Sequence, residues 1–164
     1  MPAMFRFVHS SDLHIGKPFG NFPEDLRGRL REARHGALAR LARLARENGA
    51  VISALAPAGV AVFPVDDDYT PVWRALAASH RAVTFSDTDA SADVHALQTV
   101  WADGAWALSM ATPAGALNCH LRIAGRHNVR NALAATACAL AAGVPLAAIG
   151  RGLDAFEPVG GRSR

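Results

Sequence analysis

Apolar positions follow two different rhythms along the chain. From Glu24 to Glu47 they recur every three or four residues (Leu26, Leu30, Ala33, Ala37, Leu41, Leu44), the spacing of one helix face. Glu24 and Asp25 suit the start of that helix and Asn48-Gly49 its stop. Ahead of it, Met4–His9 reads as a short buried strand and Ser10–Pro23 as a loop punctuated by Gly16, Pro18, Gly20 and Pro23. Beyond residue 50 the rhythm shortens. Gly59–Phe63 predicts a strand running into Asp66-Asp67-Asp68, followed by a helix over 71–78 and a strand over 82–85. Strands are predicted over 93–102, 105–112 and 116–123, separated by Asp103-Gly104 and Pro113-Ala114-Gly115; these form an antiparallel meander. Two alanine-rich helices follow, over 128–142 and 145–156, with Gly143 ending the first and Pro145 opening the second. The expected fold class is α/β: a single domain of three-layer type, with a mainly parallel sheet, an antiparallel meander and Ala-rich C-terminal helices.

Composition narrows the class. A chain of 164 residues, 51% hydrophobic and 19% charged, can bury one ordinary core and is not a disordered segment. The net charge of +3 is unevenly spread. Arg27, Arg29, Arg31, Arg34, Arg40, Arg43 and Arg46 crowd the predicted helix at 24–47, where they offer a basic face to nucleic acid. With Glu24, Asp25, Glu32 and Glu47 interspersed, the same face also reads as an ordinary solvated one. Cys119 and Cys138 lack a CxxC partner and are expected as buried free thiols. Met1–Ser10 carries no signal-peptide pattern. The apolar run from Ala132 to Ile149 is broken by Gly143 and Pro145, so it reads as two packed helices and not a membrane span. A cytoplasmic protein is expected, with no membrane partner and with its oligomeric state unspecified.

Asp12 and His14 stand two residues apart just past a predicted strand, where both can turn toward one metal ion. The carboxylate supplies hard oxygen, and the imidazole suits manganese, iron or zinc; a loop histidine without metal is the alternative. The run His9-Ser10-Ser11-Asp12-Leu13-His14-Ile15-Gly16-Lys17-Pro18-Phe19, followed by the arginine-rich helix, resembles the opening of calcineurin-like metallophosphoesterases, DNA repair exonucleases of the SbcD type in particular. The resemblance covers residues 4–49 and implies that Asp12 and His14 bind one ion of a two-metal centre. That family's later Gly-Asp and Gly-Asn-His-Asp/Glu motifs have only faint echoes, in Asp66 and in Gly125-Arg126-His127-Asn128.

A second constellation reads Gly125-Arg126-His127-Asn128-Val129-Arg130-Asn131-Ala132-Leu133-Ala134-Ala135. His127 and Asn128 fall at the start of a predicted helix, and the three-residue spacing puts Asn128 and Asn131 on one face. An asparagine amide both donates and accepts, so it can pair with an adenine edge, and the free N–H groups of a helix start favour anions. Bare physics equally allows an Asn cap on an alanine-rich core helix. The run resembles the H-N-x-x-N-A-L-A-A motif of the Mur ligases, ATP-dependent amide ligases of peptidoglycan precursor synthesis, and most of all the branch that adds D-alanyl-D-alanine. The resemblance spans 50–164. Ile52–Pro57 resembles the segment after that family's Lys-Gly-Glu. Gly59–Val62 leading into Asp66-Asp67-Asp68 resembles its valine-rich strand and Asn-Ala-Asp-Asp step, with Pro64-Val65 in place of Asn-Ala. Gly143-Val144-Pro145 and Phe156–Arg162 resemble the end of its ATP-binding domain. The resemblance implies that Asn128 and Asn131 face adenine, that His127 supports the site, and that Arg162 approaches ribose or phosphate.

The phosphate loop of that family, Gly-Thr-Asn-Gly-Lys-Thr/Ser, is not written in the chain. Around Gly16-Lys17, Ser11 stands where a Walker loop has its first glycine, and Pro18 replaces the residue that holds magnesium. The expectation is therefore a non-catalytic chimera or remnant joined near Gly49-Ala50, with residues 1–49 and 50–164 packed as one domain. It would bind ATP weakly and manganese or another divalent ion weakly. Nucleotide is the expected partner, and nucleic acid would be met only through 24–47. Two alternatives stand beside it: ATP-dependent ligase activity, and a metal-dependent phosphoesterase using Asp12 and His14.

Overall fold

The computed structural model describes residues 49–157. The strand expected at 4–9, the helix at 24–47, and the candidate residues Asp12, His14 and Arg162 lie outside the described residues. A five-stranded sheet organises the rest, in the order β1 (Val60–Pro64), β2 (Arg81–Ser86), β3 (Val94–Ala102), β4 (Ala105–Thr112), β5 (Gly115–Leu121). Three helices accompany it: α1 (Thr70–Leu76), α2 (His127–Ala141) and α3 (Leu146–Asp154). The sheet is mixed, with the expected antiparallel meander joined to a parallel part. The β1–β2 and β2–β3 pairs are parallel, and the β3–β4 and β4–β5 pairs are antiparallel.

Period-two alternation decides which face each side chain takes. Along β1, Ala61 and Phe63 are buried against Ala77, with Ile52, Leu55 and Trp73 packed around them. Val60 and Val62 turn the other way, onto the main core. Helical material therefore covers β1 on both faces, α1 and a short helical stretch at 49–53 on one side and α2 on the other. The main core gathers Val83, Phe85, Val94, Leu108, Met110, Leu117, Cys119 and Leu121 from the sheet beneath Val129, Leu133 and Ala137 of α2 and Ile149 of α3. Small residues let these helices lie close: a Cβ on Gly150 would come within 2.9 Å of Leu117 Cδ1. Thr136, fully buried in α2, donates its hydroxyl to the Ala132 carbonyl at 2.8 Å and so leaves no orphan in the core.

The turns follow their residues. Asp103 (φ 52°) and Gly104 (φ 76°) both sit in the left-handed region, which makes the β3–β4 connection a two-residue type I′ hairpin. Trp101 and Trp106 face each other just before it, edge to face at 5.2 Å. α2 ends in a Schellman motif: Gly143 N–H donates to the Leu140 carbonyl and Val144 N–H to the Ala139 carbonyl, with Gly143 at φ 77°. Pro64 replaces a residue with an N–H, and β1 tolerates it because Val65, not Pro64, donates across to Phe85, at 3.2 Å.

The β2–β3 connection departs from ordinary expectation. Parallel neighbours need a long crossover, yet only residues 87–93 separate these two strands. β3 begins where β2 ends, pairing Phe85 with Val94 and Ser86 with His95 and then running onward beside β4. The chain therefore turns back by little more than one residue pair. Cys119 is buried and Cys138 half-buried, both as free thiols. Among the described residues no helix is long and apolar enough to cross a membrane.

Candidate functional site

Polar side chains converge where β1 and β2 end. Asp66 follows β1 by two residues, and its side chain is only 18% exposed. One of its oxygens accepts from Arg130 Nη2 at 2.7 Å. The other accepts the Ser86 hydroxyl at 2.7 Å, the Thr88 hydroxyl at 3.0 Å and Arg130 Nη1 at 3.4 Å. Ser86 is completely buried at the end of β2. Its hydroxyl also accepts the N–H groups of Thr88 (3.0 Å) and Asp89 (2.8 Å), so its one donor and two acceptor positions are all used. Asp87, 12% exposed, lies 3.5 Å from Arg130 and 3.7 Å from Arg126. Hydrogen bonds from Ser91 hold the Asp89 carboxyl below its usual range and order the same loop.

The first turn of α2 faces this cluster. Gly125 adopts φ +93°, and a Cβ there would lie 2.5 Å from His127 Cε1, so the turn needs a glycine both for its backbone and for the imidazole folded over it. Asn128 sits inside the helix and not at its cap, which is Arg126 with no side-chain hydrogen bond. The Asn128 amide nitrogen donates to the Ala124 carbonyl at 2.6 Å. The Asn131 amide nitrogen in turn donates to Asn128 Oδ1 at 3.2 Å. The shared face expected for these two residues is thus a hydrogen-bonded relay. It ends at Asn131 Oδ1, which is enclosed and has no donor. Leaving such an acceptor unsatisfied costs about 1–3 kcal/mol.

Asn128 and Asn131 are therefore brought together, while the His127 ring lies over Gly125. Asp66, weighed earlier as an echo of a metal ligand, is occupied by Arg130, Ser86 and Thr88. Among the described residues no group of three or more His, Cys, Asp or Glu is placed to hold a metal. Sequence reasoning missed Ser86, Asp87, Thr88 and Arg130. The one available signal was Arg130, a charged residue set between the two asparagines of an alanine-rich helix.

An open sheet with polar groups gathered beyond the carboxyl ends of its parallel strands, opposite a helix start, defines the α/β class that binds ligands in that crevice. The Mur ligase middle domain matches residues 33–139, and the chain belongs to that family. The match crosses the expected join at 49–50 and begins inside the segment likened to metallophosphoesterases. The chain is 32% identical over 122 residues to UDP-N-acetylmuramoyl-tripeptide--D-alanyl-D-alanine ligase of Escherichia coli K12, covering 74% of this chain and 27% of that one. It is similar to the structure of UDP-N-acetylmuramoylalanyl-D-glutamyl-2,6-diaminopimelate--D-alanyl-D-alanyl ligase from Acinetobacter baumannii, with TM-score 0.67 and 36% identity over 72% of this chain and 26% of that one. An FPGS–AMPPCP complex shares the fold alone, with TM-score 0.54 and 18% identity over 70% of this chain and 29% of that one. The chain thus spans about a quarter of the length of the E. coli ligase.

Proposed function

We propose that this chain provides the adenine-recognition part of a Mur ligase middle domain, of the kind that serves D-alanyl-D-alanine addition in peptidoglycan precursor synthesis. The observation behind this reading is Asn131 Oδ1, a shielded acceptor with no donor, at the end of a relay that fixes its direction. The exocyclic amino group of adenine is a donor of the right kind, and an asparagine amide can offer its N–H to the adjacent ring nitrogen at the same time. In this reading Asn128 holds Asn131, His127 borders the base, and Arg162 approaches ribose or phosphate. ATP, when bound, would supply the phosphoryl group that activates a carboxylate; the residues named here bind and orient the base. These 164 residues include no Gly-Thr-Asn-Gly-Lys loop, so the proposal is confined to weak nucleotide binding and does not extend to turnover. The phosphoesterase alternative has no supporting observation among the described residues.

Titration calorimetry of the full chain with ATP and with AMPPCP, each with magnesium, tests the reading. Binding weakened tenfold or more by Asn131→Ala is expected, since two hydrogen bonds to the base are lost. No heat at millimolar nucleotide, or an Asn131→Ala variant that binds like the parent, would refute it.

A further inference from the structure

We infer that Asp66 and Arg130 form a clamp that fixes the first turn of α2 against the strand ends and thereby aims Asn131, so that Arg130 is a positioning residue for base recognition. The inference rests on the adenine reading above and adds a residue pair to it.

Four observations carry it. Arg130 immediately precedes Asn131 in α2, so any displacement of one moves the other. Its guanidinium holds Asp66 with two prongs, at 2.7 and 3.4 Å, and reaches Asp87 at 3.5 Å. A planar fork on a carboxylate fixes direction as well as distance, which a single ammonium cannot do. Asp66 is itself anchored to β2 through the buried Ser86 hydroxyl and through Thr88, so the clamp is referred to the sheet and not to a mobile side chain. Finally, Arg126 reaches Asp87 from four residues earlier on the same helix face.

Helix stability does not account for these arginines. Two cations at the helix start, Arg126 at the cap and Arg130 four residues on, oppose the helix dipole, and the first turn has neither an acidic residue nor a side-chain cap to offset them. Direct phosphate binding does not account for Arg130 either, because both prongs of its guanidinium are already on carboxylate oxygens. What the arrangement achieves is orientation: the helix start is tied to the ends of both β1 and β2, and the Asn128–Asn131 relay sits in the tied turn.

The test combines calorimetry with AMPPCP and the side-chain amide resonances of the ligand-free, 15N-labelled full chain, the Asn131 pair being assigned by its loss in Asn131→Ala. Arg130→Met and Asp66→Asn are each expected to weaken AMPPCP binding about tenfold and to move the Asn131 side-chain resonances. Their combination is expected to do no more than either alone. In the Asn131→Ala background, Arg130→Met is expected to change nothing further, an outcome that a merely structural role for Arg130 would not produce. Arg151→Met, at an exposed position on α3, leaves both readouts unchanged. Should Arg130→Met fail to fold, Arg130→Lys is read the same way, with a smaller loss expected. If Arg130→Met keeps parental affinity and Asn131 resonances while Asn131→Ala still loses binding, the clamp is refuted and the adenine reading survives. If the parent chain does not bind AMPPCP at all, the adenine reading fails and takes the clamp with it.

Discussion

Ser86→Ala removes one oxygen atom from a side chain that touches no solvent. Its predicted cost follows from the partners. The hydroxyl donates to the Asp66 carboxylate at 2.7 Å, a bond to a charged group worth about 1.5–3 kcal/mol. It also accepts the N–H groups of Thr88 and Asp89. Both belong to the surface loop after β2, so water recovers part of their loss, and about 1 kcal/mol for the two together is a fair charge. The total is about 3 kcal/mol, roughly a third of the stability of an ordinary domain. Equilibrium urea unfolding is the assay. With a slope of about 2 kcal/mol per molar, the midpoint should fall by about 1.5 M with the slope unchanged. Ser79→Ala, at an exposed turn, is the control and should stay within about 0.5 kcal/mol of the parent. A Ser86→Ala midpoint indistinguishable from that of Ser79→Ala would mean that the hydroxyl does not organise the strand ends, and the anchoring of Asp66 would fall with it.

Two further outcomes test the site and the core. Gly125→Ala should cost about 1–2 kcal/mol for placing a Cβ residue at φ +93°, and it should shift the His127 imidazole resonances because the new methyl would lie 2.5 Å from the ring; unchanged resonances would show that the ring does not rest on Gly125. Burial, helped by the nearby Asp154 carboxylate, pushes the Cys119 thiol up to about 11 from 9.0. A group raised in the folded state contributes its full stability below the unfolded value and loses it as pH climbs toward the folded value. Urea midpoints should therefore drop between pH 9 and 11 by an amount corresponding to about 2 kcal/mol, and Cys119→Ala should remove that part of the slope. Equal slopes in the two proteins would refute the assignment.

What could be read in advance was local. Asp103-Gly104 demands positive φ at two successive residues, and Gly143 after an alanine-rich helix demands a left-handed stop; both turns appear as written. The strand expected over 116–123 appears as Gly115–Leu121, and its alternation turns Leu117, Cys119 and Leu121 inward. In β3 the register shifts between Ala96 and Gln98, leaving Leu97 58% exposed, and no periodicity argument finds a single inserted residue. The shared face of Asn128 and Asn131 was legible because the two lie within one helical turn; the hydrogen bond that joins them was not. Nor was its support. Asp66 meets Ser86 across 20 residues and Arg130 across 64, and nothing in the short-range pattern couples a carboxylate after β1 to a guanidinium in α2. Short polar residues such as Ser86 and Thr88 look like loop filler until the strands that carry them are paired.

The parallel and antiparallel halves of the sheet meet along just two residue pairs, Phe85↔Val94 and Ser86↔His95, reinforced by the bonds between Thr84 and Asp93. Few backbone bonds hold that junction, so partial opening of the native state should divide the domain there before either half melts. β1, β2 and their carboxylates would form one exchange unit and the Val94–Leu121 hairpins another, with α2 bridging them through Val129 and Leu133. A ligand gripped by the start of α2 would then do more than fill a crevice: by immobilising the bridge it would slow amide exchange in both units together and turn a two-block domain into a single cooperative body.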